Sequence, residues 1–326
     1  MQSKLRLLTW LLGRLILLKL LSAEIRRAPS DERPFMKPAP FRYIAASSLD
    51  HALSLKAEYG EEARFLAGGQ SLIPAMNFRL ARPAVLIDIN GLAELGKIDR
   101  SGEDIVIGAL TRYRTLERAD ALLNDCPLFA DALPHIAHPQ IRNRGTIGGN
   151  LSHADPASEL PAVAVAMGAR LRLKSAGKER EVATSDFFVG LLSTDIRPDE
   201  MLVEIRFPKR AARSGSCFME VARRKGDFAI AGVAAIVTLD GEGRCSHVRL
   251  ALCGVGETPV DGSDAANCLI GLTGSDDGLR EAGANLERAI TPSGNVHASA
   301  EYQRHVAAGL ARRALAMAYR RALNAA

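Results

Sequence analysis

The chain has 326 residues, of which 47% are hydrophobic, and a formal net charge of +5 at neutral pH. This length allows two or three compact lobes, and the composition is typical of a globular protein rather than a disordered or fibrous one. The basic residues are scattered outside the N-terminal segment and the final helix, so nucleic-acid binding is not indicated. The five cysteines form no CxxC pair, which argues against a disulfide framework and against an iron–sulfur cluster in this chain.

The N-terminal segment is rich in leucine, but four basic residues interrupt it before residue 22. No uncharged run approaches the length of a membrane span. Three explanations stay open: a basic amphipathic helix on a membrane or partner, a targeting peptide, or translated upstream sequence with the native start at Met36. We favour the last, which makes residues 1–35 an extension outside the native protein.

The remaining chain predicts a mixed pattern of helices and strands. Ser48 is expected to cap a helix that ends at Gly60, with strands on either side of residues 68–72. Further strands are predicted at 104–109, 170–174 and 201–207, with helices at 128–137 and 158–166. Strands at 229–239 and 247–253 then precede a helix from Ala300. We therefore expect one domain over 36–211, with lobes at about 36–95 and 96–211, and a separate α+β domain over 214–326.

Two short glycine-rich loops are the most informative feature of the sequence. Paired glycines let the main chain approach a ligand without a Cβ and present N–H groups to an anion such as a diphosphate. Neither loop contains Lys or Arg, so anion binding would rest on backbone dipoles. Taken singly, each loop is more simply explained as an ordinary turn. The residues are Ala67, Gly68, Gly69, Gln70, Ser71 and Leu72 in the first loop, and Thr146, Ile147, Gly148, Gly149 and Asn150 in the second.

The surroundings of the two loops favour a nucleotide cofactor. The first loop lies between an apolar segment at 64–67 and the predicted strand at 84–89. The second leads into Asp155 and Pro156, which suit the N-cap and the first position of a helix through Ala166. Neither a GxGxxG fingerprint nor a GxxxxGK[ST] loop is present, so Rossmann and P-loop folds are unsupported.

The order of these motifs resembles the FAD-binding medium subunit of molybdenum hydroxylases, such as carbon monoxide and xanthine dehydrogenases. The resemblance extends from about Phe41 to the C-terminus and implies an α+β fold. In that fold a two-lobed FAD-binding domain of the PCMH/VAO type precedes a smaller α+β domain of the CO dehydrogenase flavoprotein type. The motifs are AGGQSLIP at 67–74, IDI at 87–89, IGALT at 107–111, IRNRGTIGGN at 141–150, DP at 155–156 and RRKGDFAIA at 223–231.

The resemblance implies a function in electron transfer. Electrons would pass from two [2Fe–2S] clusters on a small partner subunit to non-covalent FAD in this chain, and then to an external acceptor. The molybdenum cofactor would lie on a large partner subunit. The substrate of the complex and the final electron acceptor stay open. The implied assembly is a dimer of heterotrimers in the cytoplasm, or at the inner face of the cytoplasmic membrane. Two alternatives stay open: a self-contained flavin oxidoreductase of the same wider fold, and a non-catalytic nucleotide-binding assembly protein.

The resemblance also implies roles for single residues. Both glycine loops would line the FAD diphosphate, and Asp155 would bond sugar or ribityl hydroxyls or act only as a helix cap. Phe228 would shield one face of the isoalloxazine or belong to the core, while Ile196 would lie near the other side of the flavin. Glu220 stands where some relatives have Lys. No catalytic residue and no metal site is expected, because Pro134 and Pro139 break the spacing of His135, His138 and Asp131.

Overall fold

The computed structural model describes residues 37–325. Its strands are β1 (Arg42–Ala45), β2 (Ala63–Leu66), β3 (Val85–Asp88), β4 (Ile98–Asp99), β5 (Asp104–Gly108), β6 (Arg170–Ser175), β7 (Lys178–Ala183), β8 (Phe188–Gly190), β9 (Ser193–Thr194), β10 (Met201–Pro208), β11 (Ser214–Ala222), β12 (Ala229–Leu239), β13 (Cys245–Cys253) and β14 (Val260–Asp261).

The helices alternate with these strands through most of the chain. They are α1 (Leu49–Tyr59), α2 (Leu72–Asn77), α3 (Tyr113–Glu117), α4 (Asp120–Asp125), α5 (Pro127–Ala132), α6 (Pro139–Arg142), α7 (Ile147–His153), α8 (Glu159–Ala166), α9 (Thr184–Phe187), α10 (Ser263–Ala266), α11 (Asp276–Ala289) and α12 (Ala300–Asn324). Short 3-10 turns lie at Gly60–Glu62, Ala93–Gly96, Leu133–His135 and Asn267–Leu269.

Within the described residues, the chain divides into two compact units. Residues 37–39 and 75–82 form a small one, in which the Arg79 side chain donates to the Lys37 carbonyl. Residues 40–74 and 83–325 form the large one, which contains every strand. The sections below concern the large unit.

Three main sheets organise the large unit. The first is parallel, in the order β1-β3-β2, and the second is antiparallel, in the order β4-β5-β10-β6-β7. The third is antiparallel, in the order β11-β12-β13-β14, and the long helix α12 packs on it. Each sheet buries a cluster of apolar side chains, for example Ile87 on the first, Phe207 on the second and Val233 on the third. The fold is therefore α+β, as expected.

Several sequence predictions are confirmed at the level of single elements. Ser48 caps α1, because its Oγ accepts from the His51 N–H at 3.1 Å. The strand at 229–239 and the helix from Ala300 have the predicted limits. The helix predicted over 128–137 is wrong at its end, since α5 stops at Ala132. Pro134 has no N–H with which to continue the helical ladder, and a 3-10 turn follows instead.

No helix among residues 37–325 is both long enough and apolar enough to cross a membrane.

Candidate functional site

The two glycine loops lie against each other, although about eighty residues of sequence separate them. A Cβ added at Gly68 would come within 2.6 Å of the Arg144 carbonyl oxygen and 2.9 Å of the Gly145 Cα. A Cβ at Gly149 would lie 4.0 Å from the Cβ of Ala67. The absence of a side chain at Gly68 is therefore what allows the backbone of the first loop to touch the segment that leads into the second.

The first loop presents free main-chain donors. It connects the end of β2 to the start of α2, and Gly69 adopts φ of +74°, a conformation that favours glycine. The Gln70 side chain donates to the Gly68 carbonyl at 3.0 Å and so braces the turn. The N–H groups of Gly68, Gly69, Gln70 and Ser71 find no acceptor among residues 37–325. Such a set of unpaired N–H groups suits an anion.

The second loop differs from the expectation that its main-chain N–H groups hold an anion. Helix α7 begins at Ile147, and segment 109–111 runs beside its first turn. The N–H groups of Ile147 and Gly148 donate to the carbonyls of Thr111 and Ala109 at 3.0 and 2.9 Å. The Gly149 N–H donates to the Thr146 hydroxyl at 3.1 Å, so Thr146 is the helix N-cap. These donors are consequently occupied.

What the second loop offers instead is close packing and a polar side chain. A Cβ at Gly148 would lie 2.4 Å from the Cβ of Ala109, so only glycine permits this approach. The Asn150 Nδ2 donates to the Ser158 hydroxyl at 2.7 Å. The Asn150 Oδ1 and the Thr111 Oγ1 are buried and have no partner among the described residues. Buried acceptors of this kind are costly unless a ligand or water satisfies them.

Two residues that the sequence interpretation missed hold the loops together. The Arg112 guanidinium donates to the Asn90 side-chain oxygen and to the Arg144 carbonyl. Asn90 in turn donates to the Leu66 carbonyl at 3.2 Å, at the entrance to the first loop. Asn90 follows the buried parallel strand β3, and polar residues at the carboxyl ends of such strands commonly mark ligand sites. That signal was available in the sequence.

Asp155 is not the helix N-cap that the sequence predicts. Its Oδ1 accepts from the Ala157 N–H at 2.9 Å, which forms a turn, and α8 begins only at Glu159. The shift arises because Ala154 takes a left-handed conformation at the end of α7, and residues 155–158 then turn the chain. The next residue, Pro156, accepts from the Gly254 N–H at 2.7 Å and so ties this turn to β13.

The Phe228 side chain is 69% exposed, so the alternative that Phe228 belongs to the core is wrong. Its loop lies against the segment before the second glycine loop, since a Cβ at Gly226 would be 2.8 Å from both His138 and the Ala137 carbonyl. Ile196 is half-buried and packs against the apolar cluster that contains Ile147. An exposed aromatic ring beside such a loop is suited to stack on a planar ligand.

Glu220 lies among protein groups rather than at the surface. Its side chain is 2% exposed, its Oε1 is 3.7 Å from His135 Nδ1, and its Oε2 has no partner among the described residues. Glu159, which the sequence interpretation missed, is 5% exposed. Burial, the negative charge of Glu220 and that of Asp155 raise the pKa of Glu159 to about 8.

Asp131, considered with His135 and His138 as a metal ligand, instead pairs with Arg321.

These features fit a flavin nucleotide. The unpaired N–H groups of the first loop match a diphosphate, the unpartnered Asn150 Oδ1 matches a hydroxyl donor, and exposed Phe228 matches a flat ring system. No positive side chain is required within the loops.

Comparison with known proteins gives the same result. The family model "FAD binding domain in molybdopterin dehydrogenase" matches residues 39–210, and "CO dehydrogenase flavoprotein C-terminal domain" matches residues 216–318. The 6-hydroxypseudooxynicotine dehydrogenase complex subunit alpha of Paenarthrobacter nicotinovorans is 42% identical over 88% of this chain and 97% of its own length. The carbon monoxide dehydrogenase medium chain of Afipia carboxidovorans is 36% identical over 89% of this chain and 100% of its own.

A solved structure agrees with these relatives. The reconstituted CO dehydrogenase from Oligotropha carboxidovorans contains a chain that superposes with a TM-score of 0.84 at 36% identity. The match covers 87% of this chain and 99% of that one. The resemblance found in the motifs is confirmed, and the chain belongs to the family of FAD-binding medium subunits of molybdenum hydroxylases.

Proposed function

We propose that this chain holds FAD non-covalently, so that electrons from the [2Fe–2S] clusters of a partner subunit reach an external acceptor through it. The observation that carries this proposal is the set of unpaired N–H groups in residues 68–71, which lie against the second glycine loop. FAD, when bound, supplies the capacity to accept and release electrons, and the protein supplies binding, orientation and electrostatics.

The two glycine loops contribute to FAD binding in different ways. The N–H groups of residues 68–71 bind the diphosphate, while Gln70 and Gly69 keep the turn in shape. Ala67 and Leu72 join this turn to β2 and α2. In the second loop, Thr146, Ile147 and Gly148 fix the start of α7, and Gly149 and Asn150 face the cofactor. Asp155 bonds a sugar or ribityl hydroxyl through the carboxylate oxygen that its turn leaves free.

The ring system is held by different residues. Phe228 stacks on one face of the isoalloxazine, and Ile196 limits access from the other side. Glu220 acts from the interior beside the buried, protonated Glu159, and the charge of Glu220 contributes to the local potential. Because the Glu220 side chain is buried, water screens its charge less than it screens that of a surface group.

Replacing Phe228 with Ala is expected to leave FAD bound and to change how the flavin reacts. Loss of the ring removes a stacking partner that also limits solvent and oxygen access. We expect FAD affinity to fall about tenfold, which corresponds to roughly 1.4 kcal/mol, with faster reoxidation of the reduced flavin by oxygen. Stopped-flow reoxidation measures this, with Phe228→Tyr as the conservative control. Unchanged reoxidation in Phe228→Ala would remove Phe228 from the flavin site.

The names of the relatives support a proposal for the partner subunits. The relatives are named as medium chains or as subunits of complexes. We propose a large molybdopterin subunit and a small [2Fe–2S] subunit as partners, in a dimer of heterotrimers located in the cytoplasm. Residues 36–211 form the FAD-binding domain, with lobes at about 36–95 and 96–211, and residues 214–326 form the C-terminal domain.

Affinity purification of the tagged full chain from its native host tests this assignment. We expect a large molybdenum-containing subunit and a small iron–sulfur subunit to co-purify in equal molar amounts. A FAD-loaded chain that purifies alone and oxidises a substrate by itself would favour a self-contained flavin oxidoreductase instead. A chain with partners but without redox-active flavin would favour an assembly protein.

A further inference from the structure

A cavity lies in the large unit and shares no lining residue with the glycine loops. It has a volume of about 270 Å³ and lies between segment 165–188 and segment 249–261. We call it the junction cavity, because one side belongs to the proposed FAD-binding domain and the other to the C-terminal domain. Its lining residues include Ala169, Ala183, Phe188, Arg249, Pro259 and Asp261.

Arg249 gives the junction cavity a positive charge that forms no direct ion pair within residues 37–325. No carboxylate within residues 37–325 comes within ion-pair distance of its guanidinium. Its one hydrogen bond within the described part of the chain runs from Nη2 to the Val165 carbonyl at 3.2 Å. That carbonyl already accepts from the Gly168 N–H at 3.0 Å, so the end of α8 does not need the arginine. A guanidinium has five N–H donors, and most of them remain available to a ligand.

The other walls of the junction cavity are mixed. Ala169, Ala183, Phe188 and Pro259 supply hydrocarbon surface, and Thr184, Ser185 and Thr258 add hydroxyl groups. Asp261 also lines the cavity, and its negative charge repels an anion with one charge less strongly than an anion with two. A guanidinium binds a carboxylate or a phosphate through two parallel hydrogen bonds, and the smaller charge favours the carboxylate beside Asp261.

We propose that the junction cavity is a binding site for a small monocarboxylate with a planar apolar body, whose carboxylate pairs with Arg249. The volume lies near the lower limit for small-molecule pockets, roughly 300–1,000 Å³, which fits a single-ring compound. Sites between domains are common locations for such ligands. This inference goes beyond the proposed electron transfer and does not depend on FAD.

Calorimetric titration of the FAD-loaded full chain with benzoate tests the proposal. We expect saturable binding of one benzoate per chain. Arg249→Gln is expected to weaken it at least tenfold, because the charge-assisted pair is lost. Arg249→Lys keeps the positive charge but lacks the paired N–H donors of a guanidinium. Its affinity for benzoate should lie between those of the wild type and Arg249→Gln. Arg244→Gln, which removes a charge from the turn between β12 and β13 outside the cavity, should bind like the wild type.

Four results would each overturn the proposal. They are absence of benzoate binding to the wild type, undiminished binding to Arg249→Gln, equal binding of the neutral analogue benzamide, and displacement of benzoate by inorganic phosphate at equal concentration. If benzoate alters the flavin absorbance and still binds to Arg249→Gln, it binds at the flavin. That outcome also overturns the proposal, because binding is undiminished without Arg249. FAD content, measured in every variant, reports separately on the proposed function.

Discussion

Replacing Gly68 with Ala is expected to weaken FAD binding at least a hundredfold, or about 3 kcal/mol. The new Cβ would lie 2.6 Å from the Arg144 carbonyl oxygen, a backbone atom that can move only with the whole segment before the second glycine loop. The two loops would have to separate, and the N–H groups of residues 68–71 would lose their alignment on the diphosphate. Fluorescence titration of the apoprotein with FAD measures the effect.

Gly91→Ala is the matched control for this substitution. It makes the same chemical change, but no atom lies within 4 Å of the new Cβ and the backbone is not left-handed there. We expect it to bind FAD like the wild type. Thermal unfolding of the apoproteins shows whether Gly68→Ala still folds. A folded Gly68→Ala variant with normal FAD affinity would contradict the role of the loop contact.

Replacing Glu159 with Gln is expected to remove a large pH dependence of stability. The pKa of Glu159 is raised from 4.5 to about 8, first by burial and then by Glu220 and Asp155. The folded protein therefore holds a proton that the unfolded chain has released, so the free energy of unfolding falls as pH rises between about 4.5 and 8. This pKa shift corresponds to a change of about 5 kcal/mol in the free energy of unfolding.

Urea unfolding at several pH values measures this effect. Glu159→Gln keeps the size of the side chain but cannot ionise, so it should match the wild type near pH 4.5 and exceed its stability at pH 8 and above. Glu94→Gln changes an exposed carboxyl and serves as the control. The single variant Glu220→Gln should lose less stability than the wild type as pH rises, because it removes one of the charges that act on Glu159. If the free energy of unfolding depended on pH in the same way in Glu159→Gln and in the wild type, Glu159 would not be buried in its protonated form.

Local sequence signals predicted much of the fold. The Ser48 cap and Gly60 define α1, and the uninterrupted apolar run of β12 identifies a buried strand. Strand β1 was missed because its residues are mostly exposed and show no alternation. Its place in the sheet depends on pairing with β3, more than forty residues away. Such non-local pairing leaves no pattern in a short window of sequence.

The candidate site was predictable in part for the same reason. The glycine pairs indicate where the backbone must come close to something, but they do not show what it approaches. At Gly68 the neighbour is the backbone at Arg144, and at Gly148 it is Ala109. The pairing of Ile147 and Gly148 with residues 109–111 could not be read from the second loop alone. Glu159 resembled an ordinary acidic residue in a first helical turn, and only burial beside Glu220 distinguishes it.

The absorbance spectrum of the purified full chain, followed by denaturation and identification of the released flavin, tests the central claim most directly. The account predicts one FAD per chain, released intact by denaturation because it is held without a covalent bond. Failure of the folded chain to retain any flavin after incubation with excess FAD, both alone and with its partner subunits, would contradict the account.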